Sequence, residues 1–325
     1  MALTQVDQWG WRGLKLAAGR VALVATPEVG GRVTSLSFDD SEIFFTLPAL
    51  RGRRVDLDQT RDARSDKRAL GWLHYGGYKT WLAPQERWTD GLPFVDLDSG
   101  CYEYECTPQT QPGETLVRVT SPVCRETGLQ LTRSIVLSEG GHITVEQSMA
   151  NRSTREVAWG LWDVTQLRGP GTAILPIRPD SQFTSGVKAY LNEGRSQDVM
   201  DRYVVRKDQM AIVTCHQVEP FKYGTDSHEG WILALLDCAP DRWLAYLKLF
   251  QPIPGAIYPH ESVTEVYDSG THPYFEVEVH SPLQRLVPGA SYGFTEAWVV
   301  DWLPKTADPS AVREWVARVL TKARK

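Results

Sequence analysis

Apolar and polar residues alternate in short runs along most of this sequence. Such runs lie at residues 20–25, 32–38, 129–137, 142–150, 157–162, 210–215, 231–236 and 243–250. Because successive side chains of a strand point to opposite faces, this period of two predicts β-strands. Turn signals such as Gly30-Gly31 and Pro288-Gly289 separate the runs at hairpin spacing. Many short strands with almost no helix predict an all-β fold, built as a large antiparallel sandwich.

The end of the chain has the period of a helix instead. Asp308 is a favourable N-cap, and Pro309 follows it at the first helical position. Apolar residues then recur at helical spacing, at Val312, Trp315, Val316, Val319 and Leu320. The pattern predicts a C-terminal helix over residues 308–325, which packs its Trp315 stripe against the sandwich.

Residues 51–68 have a different composition from the rest of the chain. They contain seven basic and four acidic residues and few apolar ones. A segment of this kind cannot bury much surface, so we predict a mobile, solvated loop between strands. A lid that covers a cleft is the alternative interpretation.

Length and composition allow a large core. The chain has 325 residues, of which 42% are hydrophobic, and we interpret residues 1–325 as one domain. A net charge of -5 without a basic run argues against a nucleic-acid partner. No apolar run reaches the roughly 18 residues of a membrane span, and the first residues lack the pattern of a secretory signal. We therefore predict a soluble, cytoplasmic protein that binds neither nucleic acid nor membrane.

The spacing of cysteine and histidine argues against a metal or a cofactor. Five cysteines without a CxxC pair indicate neither a zinc ribbon nor a disulfide framework. His216, His228, His260 and His272 have no partner histidine two or four residues away, so a metal cage is not indicated. No nucleotide-binding, serine-hydrolase or zinc-protease motif occurs. The sequence predicts no cofactor and no metal.

The strand predicted within residues 272–282 carries an unusual row of polar side chains. Glu276, Glu278 and His280 share one face, whereas the other face is fully apolar. On a convex sheet facing water these would be ordinary solvated charges. On a concave sheet they would be acid–base groups or sugar-binding groups, and we favour this interpretation. A cation held by the two carboxylates is a further alternative.

A second cluster surrounds the glycine pair at residues 76–77. Its functional side chains are His74, Lys79, Trp81, Gln85 and Trp88. The glycines allow close approach of the backbone, and a glycine turn among half-buried aromatic residues would explain them. That explanation does not account for a lysine and a glutamine between tryptophans, so we favour a binding site.

A third cluster lies at residues 151–167, where a turn precedes a predicted strand. If the strand is regular, Asp163 shares a face with Trp159, whereas Trp162 and Gln166 take the other face. Asp163 is then either a cleft carboxylate or the partner of a nearby turn. Both interpretations stay open from the sequence.

In their order along the chain, the three clusters resemble those of the galactose mutarotase-like superfamily, and more narrowly those of a bacterial branch of it. Leu73-His74-Tyr75-Gly76-Gly77 is similar to the Leu-His-Gly-Gly element of the family, with a tyrosine inserted. Residues 27–32 resemble the opening hairpin, and residues 151–167 the Asn-turn-strand. Residues 278–282, followed by Pro288-Gly289, resemble the strand that carries the catalytic glutamate. The resemblance implies a β super-sandwich with a concave carbohydrate cleft.

The resemblance also implies a chemistry. In the family, a glutamate takes the proton from the anomeric hydroxyl while a histidine protonates the ring oxygen. Glu278 matches the glutamate, with Glu276 as the alternative. The chain has Trp162-Asp163 at the family position of the histidine, so the acid would be His74 or an Asp163 with a raised pKa. The remaining predicted cleft residues are Arg32, Lys79, Trp81, Gln85, Gln166, Glu276 and His280.

The predicted function is that of a carbohydrate-active protein with a small-molecule sugar ligand. An aldose 1-epimerase acting on a sugar is the leading hypothesis, and Arg32 and Lys79 would suit an anionic derivative. A non-catalytic carbohydrate-binding protein is the first alternative, because the family's histidine is missing. A sugar lyase or another glycan-cleaving enzyme on the same scaffold is the second.

Overall fold

One antiparallel sheet, called the front sheet here, contains twelve of the strands in the computed structural model. The structure describes residues 2–58, 61–108, 115–190, 201–216 and 219–323. The front-sheet strands are β1 Ala2–Gln8, β2 Trp11–Ala18, β3 Val21–Thr26, β4 Arg32–Phe38, β5 Ser41–Glu42, β6 Tyr78–Ala83, β11 Val157–Arg168, β13 Lys188–Ala189, β16 Phe221–Thr225, β19 Thr264–Asp268, β20 Tyr274–His280 and β21 Gln284–Leu286. Their order is β1-β2-β3-β4-β6-β11-β20-β19-β16-β13, with β5 beside β4 and β21 beside β11.

Ten further strands in the described ranges form the second sheet, called the back sheet. They are β7 Glu103–Pro108, β8 Thr115–Thr120, β9 Leu129–Leu137, β10 Ile143–Asn151, β12 Gly171–Pro176, β14 Val204–Lys207, β15 Met210–Cys215, β17 Trp231–Leu236, β18 Arg242–Phe250 and β22 Ser291–Pro304. Their order is β14-β15-β12-β17-β18-β22-β10-β9-β8-β7. Two large antiparallel sheets confirm the predicted all-β sandwich.

The main core lies between the two sheets and follows from the alternation along the strands. In β20, Phe275, Val277 and Val279 are buried in this core. Trp298 and Ile135 of the back sheet belong to the same core. The apolar face of the 272–282 segment therefore points to the back sheet, and its polar face points away from it.

The C-terminal helix forms where the sequence predicts it, as α3 Pro309–Ala323. Asp308 caps it, since its Oδ1 accepts a hydrogen bond of 2.8 Å from the amide of Ala311. Val312 and Val316 are buried against the outer side of the back sheet, and Trp315 packs beside them. Residues 324–325 of the predicted helix lie outside the described residues. No helix in the described ranges is both long and apolar enough to cross a membrane.

The predicted loop at 51–68 is wrong in its second half. Helix α1 Ala63–Leu70 begins after Asp62, whose carboxylate accepts from the amides of Arg64 and Ser65. Only three of its eight residues are apolar, so it carries little apolar periodicity. It is instead anchored by a buried Lys67, whose Nζ lies 2.9 Å from Oε1 of Glu126.

The other helical segments of the described residues are short. One α-helical turn, α2 Val95–Asp98, follows the second sequence cluster. The 3-10 turns are Pro48–Leu50, Gln85–Arg87, Thr89–Gly91, Thr184–Gly186, Asp201–Tyr203 and Pro259–Glu261. The turns at Gln85–Arg87 and Pro259–Glu261 border a cleft.

A buried group of charges connects the two sheets. The ammonium group of Lys248 on β18 forms ion pairs with Asp163 on β11 and with Glu296 on β22, the latter at 3.3 Å. Tyr78 donates to Glu296 at 3.2 Å. Burial and the neighbouring carboxylate of Glu296 raise the pKa of Asp163 well above its ordinary value.

Asp163 is therefore neither a cleft carboxylate nor the partner of a turn. It lies opposite Val279 in the strand register, whereas Trp162 lies opposite His280 and Gln166 opposite Glu276. The predicted alternation along this strand is confirmed. The prediction that Asp163 lines the cleft is wrong, because its face of the strand is turned towards the back sheet, where it pairs with Lys248.

Replacing Lys248 by methionine is expected to lower the free energy of unfolding by about 3–5 kcal/mol, because two buried carboxylates lose their cation. Urea denaturation measures the change. The matched control is Lys207→Met on the exposed part of β14, which we expect to have little effect. Equal stability of the two variants would contradict a stabilising contribution from Lys248.

Candidate functional site

The polar face of the front sheet forms one wall of a pocket of about 420 Å³, called the Glu278 pocket here. Its charged and titratable lining includes His74, Lys222, Glu276 and Glu278. Aromatic side chains form most of the remaining wall, namely Trp72, Trp81, Trp162, Tyr190, Tyr267 and Tyr274. Gln85 also lines the pocket. Aromatic faces combined with a few convergent polar groups are typical of small-molecule sites.

The carboxyl group of Glu278 is almost completely buried in this wall, with 1% of the residue exposed. Its Oε2 accepts hydrogen bonds from Nε1 of Trp162 at 2.7 Å and from Nζ of Lys222 at 2.8 Å. Burial raises the pKa of Glu278 to about 8. The carboxylates of Glu265 and Glu276 also raise it, whereas the positive charge of Lys222 lowers it. Such a group can exchange protons near neutral pH.

Lys222 joins two carboxylates on neighbouring strands. Its Nζ lies 2.8 Å from Oε2 of Glu278 and 2.7 Å from Oε2 of Glu265. These carboxylates raise the pKa of Lys222 despite its burial, so the side chain stays an ammonium ion. The same cation, with burial opposing it, holds the pKa of Glu265 well below its ordinary value.

Lys222 and Glu265 were not among the site residues predicted from sequence. Lys222 stands between Phe221 and Tyr223 on β16. Glu265 and Asp268 are the two acidic residues of the five-residue strand β19. A charged side chain among apolar ones in a central strand is the available signal. The pairing of β16 with β19 and of β19 with β20 makes them neighbours of Glu278, and that pairing is not readable from either segment alone.

A cluster of potential metal ligands lies beside Lys222. It consists of His260, Glu265 and His280, whose potential ligand atoms lie within 4.8 Å of one another. His260 and His280 are 20 residues apart, so the spacing of histidines along the sequence does not reveal this cluster. The amide of Gln85 donates to Nε2 of His260 at 3.0 Å, which requires the lone pair there and leaves the proton on Nδ1. Nδ1, which faces Oε1 of Glu265 at 3.3 Å, is then a donor and not a metal ligand. We derive no metal-dependent step from this cluster.

His280 is buried beside Glu265 and does not reach the pocket. Its Nε2 lies 3.1 Å from Oε2 of Glu265, and its ring stacks on Trp162 at a centroid distance of 5.4 Å. Burial lowers the pKa of His280 to about 4, so the imidazole is neutral at neutral pH. Of the predicted polar row, Glu276 and Glu278 line the pocket, and His280 supports Trp162 from one side.

Arg32 and Lys79 lie beneath the pocket wall. Arg32 is fully buried and donates to Oδ1 of Asp98 at 2.6 Å. The same oxygen accepts from Nε1 of Trp81 at 2.7 Å, which orients the indole ring. The ammonium group of Lys79 lies 3.6 Å from the centre of that ring, and burial lowers the pKa of Lys79 to about 8. These cations therefore position Trp81, and Arg32 is already neutralised by Asp98.

Two predicted glutamines occupy different positions at the site. Gln166 is fully buried, and its Nε2 donates to Oε1 of Glu276 at 2.7 Å. It therefore orients a carboxylate that lines the pocket without lining it itself. Gln85 lines the pocket directly, at the start of the turn that precedes Trp88.

His74 lines the pocket on the side of Trp72. The two rings are stacked, with centroids 5.8 Å apart and an angle of 7° between their planes. Burial, with smaller contributions from Lys79 and His272, lowers the pKa of His74 to about 4. A neutral imidazole cannot supply a proton as an imidazolium would, which favours the predicted binding role of His74 over the acid role.

Comparison with known proteins places this arrangement in a family. The sequence of residues 104–301 matches the family described as "Domain of unknown function (DUF4380)". The chain belongs to the DUF4380 family. Lys222, Glu265 and Glu278 fall inside the matched residues, whereas His74 and Trp81 precede them. No curated protein matches the sequence.

Solved structures show that this DUF4380 protein has a galactose mutarotase-like fold, as the sequence clusters predicted. A galactose mutarotase-like protein from Clostridium acetobutylicum superimposes with a TM-score of 0.54 at 12% identity, over 93% of this chain and 99% of the other. A candidate aldose 1-epimerase from Klebsiella pneumoniae gives a TM-score of 0.58 at 12% identity, over 92% and 81%. A TPR-domain containing protein from Parabacteroides distasonis gives 0.54 at 14% identity. The match covers 89% of this chain but only 47% of the Parabacteroides protein, so this chain spans about half its length.

The carboxyl group of Glu278 is expected to titrate near pH 8, because the folded protein buries it beside two other carboxylates. Infrared difference spectra between the wild type and Glu278→Gln, recorded against pH, measure the midpoint. Lys222→Met should move the midpoint upward, because the cation that favours the ionised form is removed. A midpoint in the ordinary range of about 4–5 would contradict the environment described here.

Proposed function

We propose that the Glu278 pocket binds a sugar and that Glu278 exchanges a proton at its anomeric centre, which is an aldose 1-epimerase reaction. The observation that carries the proposal is the buried carboxyl group of Glu278, with a pKa of about 8, in the wall of an aromatic pocket. The galactose mutarotase-like fold supports the choice of a sugar.

The pocket lining suits a neutral pyranose ring. Trp72, Trp81 and Trp162 offer apolar faces on which the C–H face of a sugar can stack. Glu276 and Gln85 supply hydrogen-bonding groups for hydroxyls beside these faces. Because Lys222 is already shared by two carboxylates, the pocket favours a neutral sugar over the anionic derivative suggested by Arg32 and Lys79.

The proposed reaction opens and recloses the hemiacetal. Ionised Glu278 accepts the proton of the anomeric hydroxyl, the bond from C1 to the ring oxygen breaks, and the ring oxygen takes up a proton. The ring oxygen takes its proton from solvent, because Lys222 stays an ammonium ion shared by two carboxylates and His74 is neutral. Closure on the other face of the aldehyde returns both protons and gives the second anomer.

The second candidate is a protein that binds the sugar without turning it over. The sequence resemblance puts Trp162-Asp163 where the related family carries its histidine, and the indole of Trp162 donates to Glu278. If that hydrogen bond keeps the carboxylate from the substrate, binding remains and proton transfer is lost. Sugar binding without exchange between anomers distinguishes this candidate from the enzyme.

The wild-type protein is expected to accelerate anomer exchange of at least one neutral aldose, and Glu278→Gln should lower kcat/KM by about 10²-fold or more because the proton acceptor is lost. Saturation-transfer NMR between the two anomers measures the exchange. Glu146→Gln, on the exposed side of β10, is the matched control and should retain the wild-type rate. No acceleration for any aldose tested would remove the enzyme proposal.

The pH profile distinguishes a glutamate base from a histidine acid. If ionised Glu278 is the base, kcat/KM should rise about tenfold per pH unit and level off above its pKa of about 8. Titration of His74 should not change the slope of the profile near neutral pH, because the pKa of His74 is about 4. His74→Gln should therefore keep the shape of the profile. A rate that falls on raising the pH from 6 to about 8 would instead assign protonated Glu278 as an acid.

A further inference from the structure

A second cavity of about 640 Å³ adjoins the Glu278 pocket, and it is called the outer compartment here. Gln85, Tyr190 and Lys222 line both cavities, so they form the boundary between them. The far wall of the outer compartment is built by residues 257–261 and by Leu283. The two cavities are therefore parts of one cleft, and Glu278 lies at its inner end.

The turn that forms this wall is held in an unfavourable backbone conformation. His260 and Glu261 both have positive φ angles, 57° and 63°, which non-glycine residues rarely adopt. Such a conformation is unfavourable and persists only where its surroundings enforce it. The carbonyl of His260 accepts from Nζ of Lys188 at 2.8 Å and from the hydroxyl of Tyr190 at 3.1 Å. These contacts fix the turn against the residues at the boundary.

The chemistry of the outer compartment suits a neutral, amphipathic ring. Ile257, Pro259 and Leu283 give it an apolar side, and Ile257 has 75% of its surface exposed. The charged groups at the turn neutralise each other, since Nζ of Lys188 lies 2.8 Å from Oε2 of Glu261. An exposed apolar residue beside paired polar groups offers a surface for the C–H face and the hydroxyls of a sugar.

We infer that the outer compartment binds a second sugar ring, so that the substrate class is the reducing end of a disaccharide or longer saccharide. The inference rests on the proposed function and extends it. The reducing ring, whose C1 carries the free anomeric hydroxyl, occupies the Glu278 pocket. The ring glycosidically linked to it passes the boundary at Gln85 and Tyr190 and contacts Ile257. The reaction is unchanged, and the second ring contributes binding only.

Isothermal titration calorimetry with matched pairs of sugars tests the inference. The probes are glucose with cellobiose and maltose, and galactose with a galactosyl-galactose disaccharide. We expect one disaccharide to bind at least about tenfold more tightly than its reducing-end monosaccharide. Ile257→Ser should reduce this gain to less than about threefold, because the apolar contact of the second ring is lost. The matched control is Val205→Ser on β14, which also removes an exposed apolar side chain and should keep the full gain.

The possible failures are distinguishable. If monosaccharides bind or exchange but no disaccharide binds more tightly than its monosaccharide, the binding of a second ring is ruled out and the proposed function still stands. A gain that Ile257→Ser retains in full would also overturn the placement in the outer compartment. Absence of binding by all the monosaccharides and disaccharides would overturn both the proposed function and this inference.

Discussion

The carboxylates of Glu265 and Glu278 remain close together inside the front sheet because the ammonium group of Lys222 lies within 2.8 Å of both. Two buried carboxylates without a cation would repel each other, and each would lose its hydration at a cost of several kcal/mol. One ammonium group cannot stabilise both carboxylates equally. The pKa of Glu265 is therefore lowered, whereas the pKa of Glu278 is raised. This unequal division gives Glu278 its capacity for proton exchange.

Strand alternation gives the front sheet two chemically different charged faces. On the side of the back sheet, Lys248 neutralises Asp163 and Glu296 inside the core, where no ligand reaches them. On the opposite side, Lys222 holds its carboxylates next to a pocket lined by tryptophan. Each cluster pairs one lysine with two carboxylates. The difference between them is that the Lys222 cluster borders a cavity, whereas the Lys248 cluster is enclosed in the core.

Much of this arrangement follows from local sequence pattern. The alternation along residues 272–282 predicts which side chains share a face, and the cap at Asp308 predicts the terminal helix. Asp163 was wrongly predicted as a cleft residue because β11 has polar side chains on both faces, Asp163 on one and Gln166 on the other. The pattern therefore gives no sign of which face meets the cavity. Lys222 was missed because its partners come from strands paired across long separations in sequence. Helix α1 was missed because its anchor is a buried lysine, Lys67, and not an apolar stripe.

Glu278 can act on a substrate only if its carboxyl group reaches the ligand past the indole of Trp162. A crystal structure of the protein with its tightest-binding sugar tests this most directly. We expect a pyranose ring stacked on Trp81 or Trp162, with the anomeric oxygen within hydrogen-bonding distance of the Glu278 carboxyl group. A sugar bound elsewhere, or one separated from Glu278 by Trp162, would contradict it.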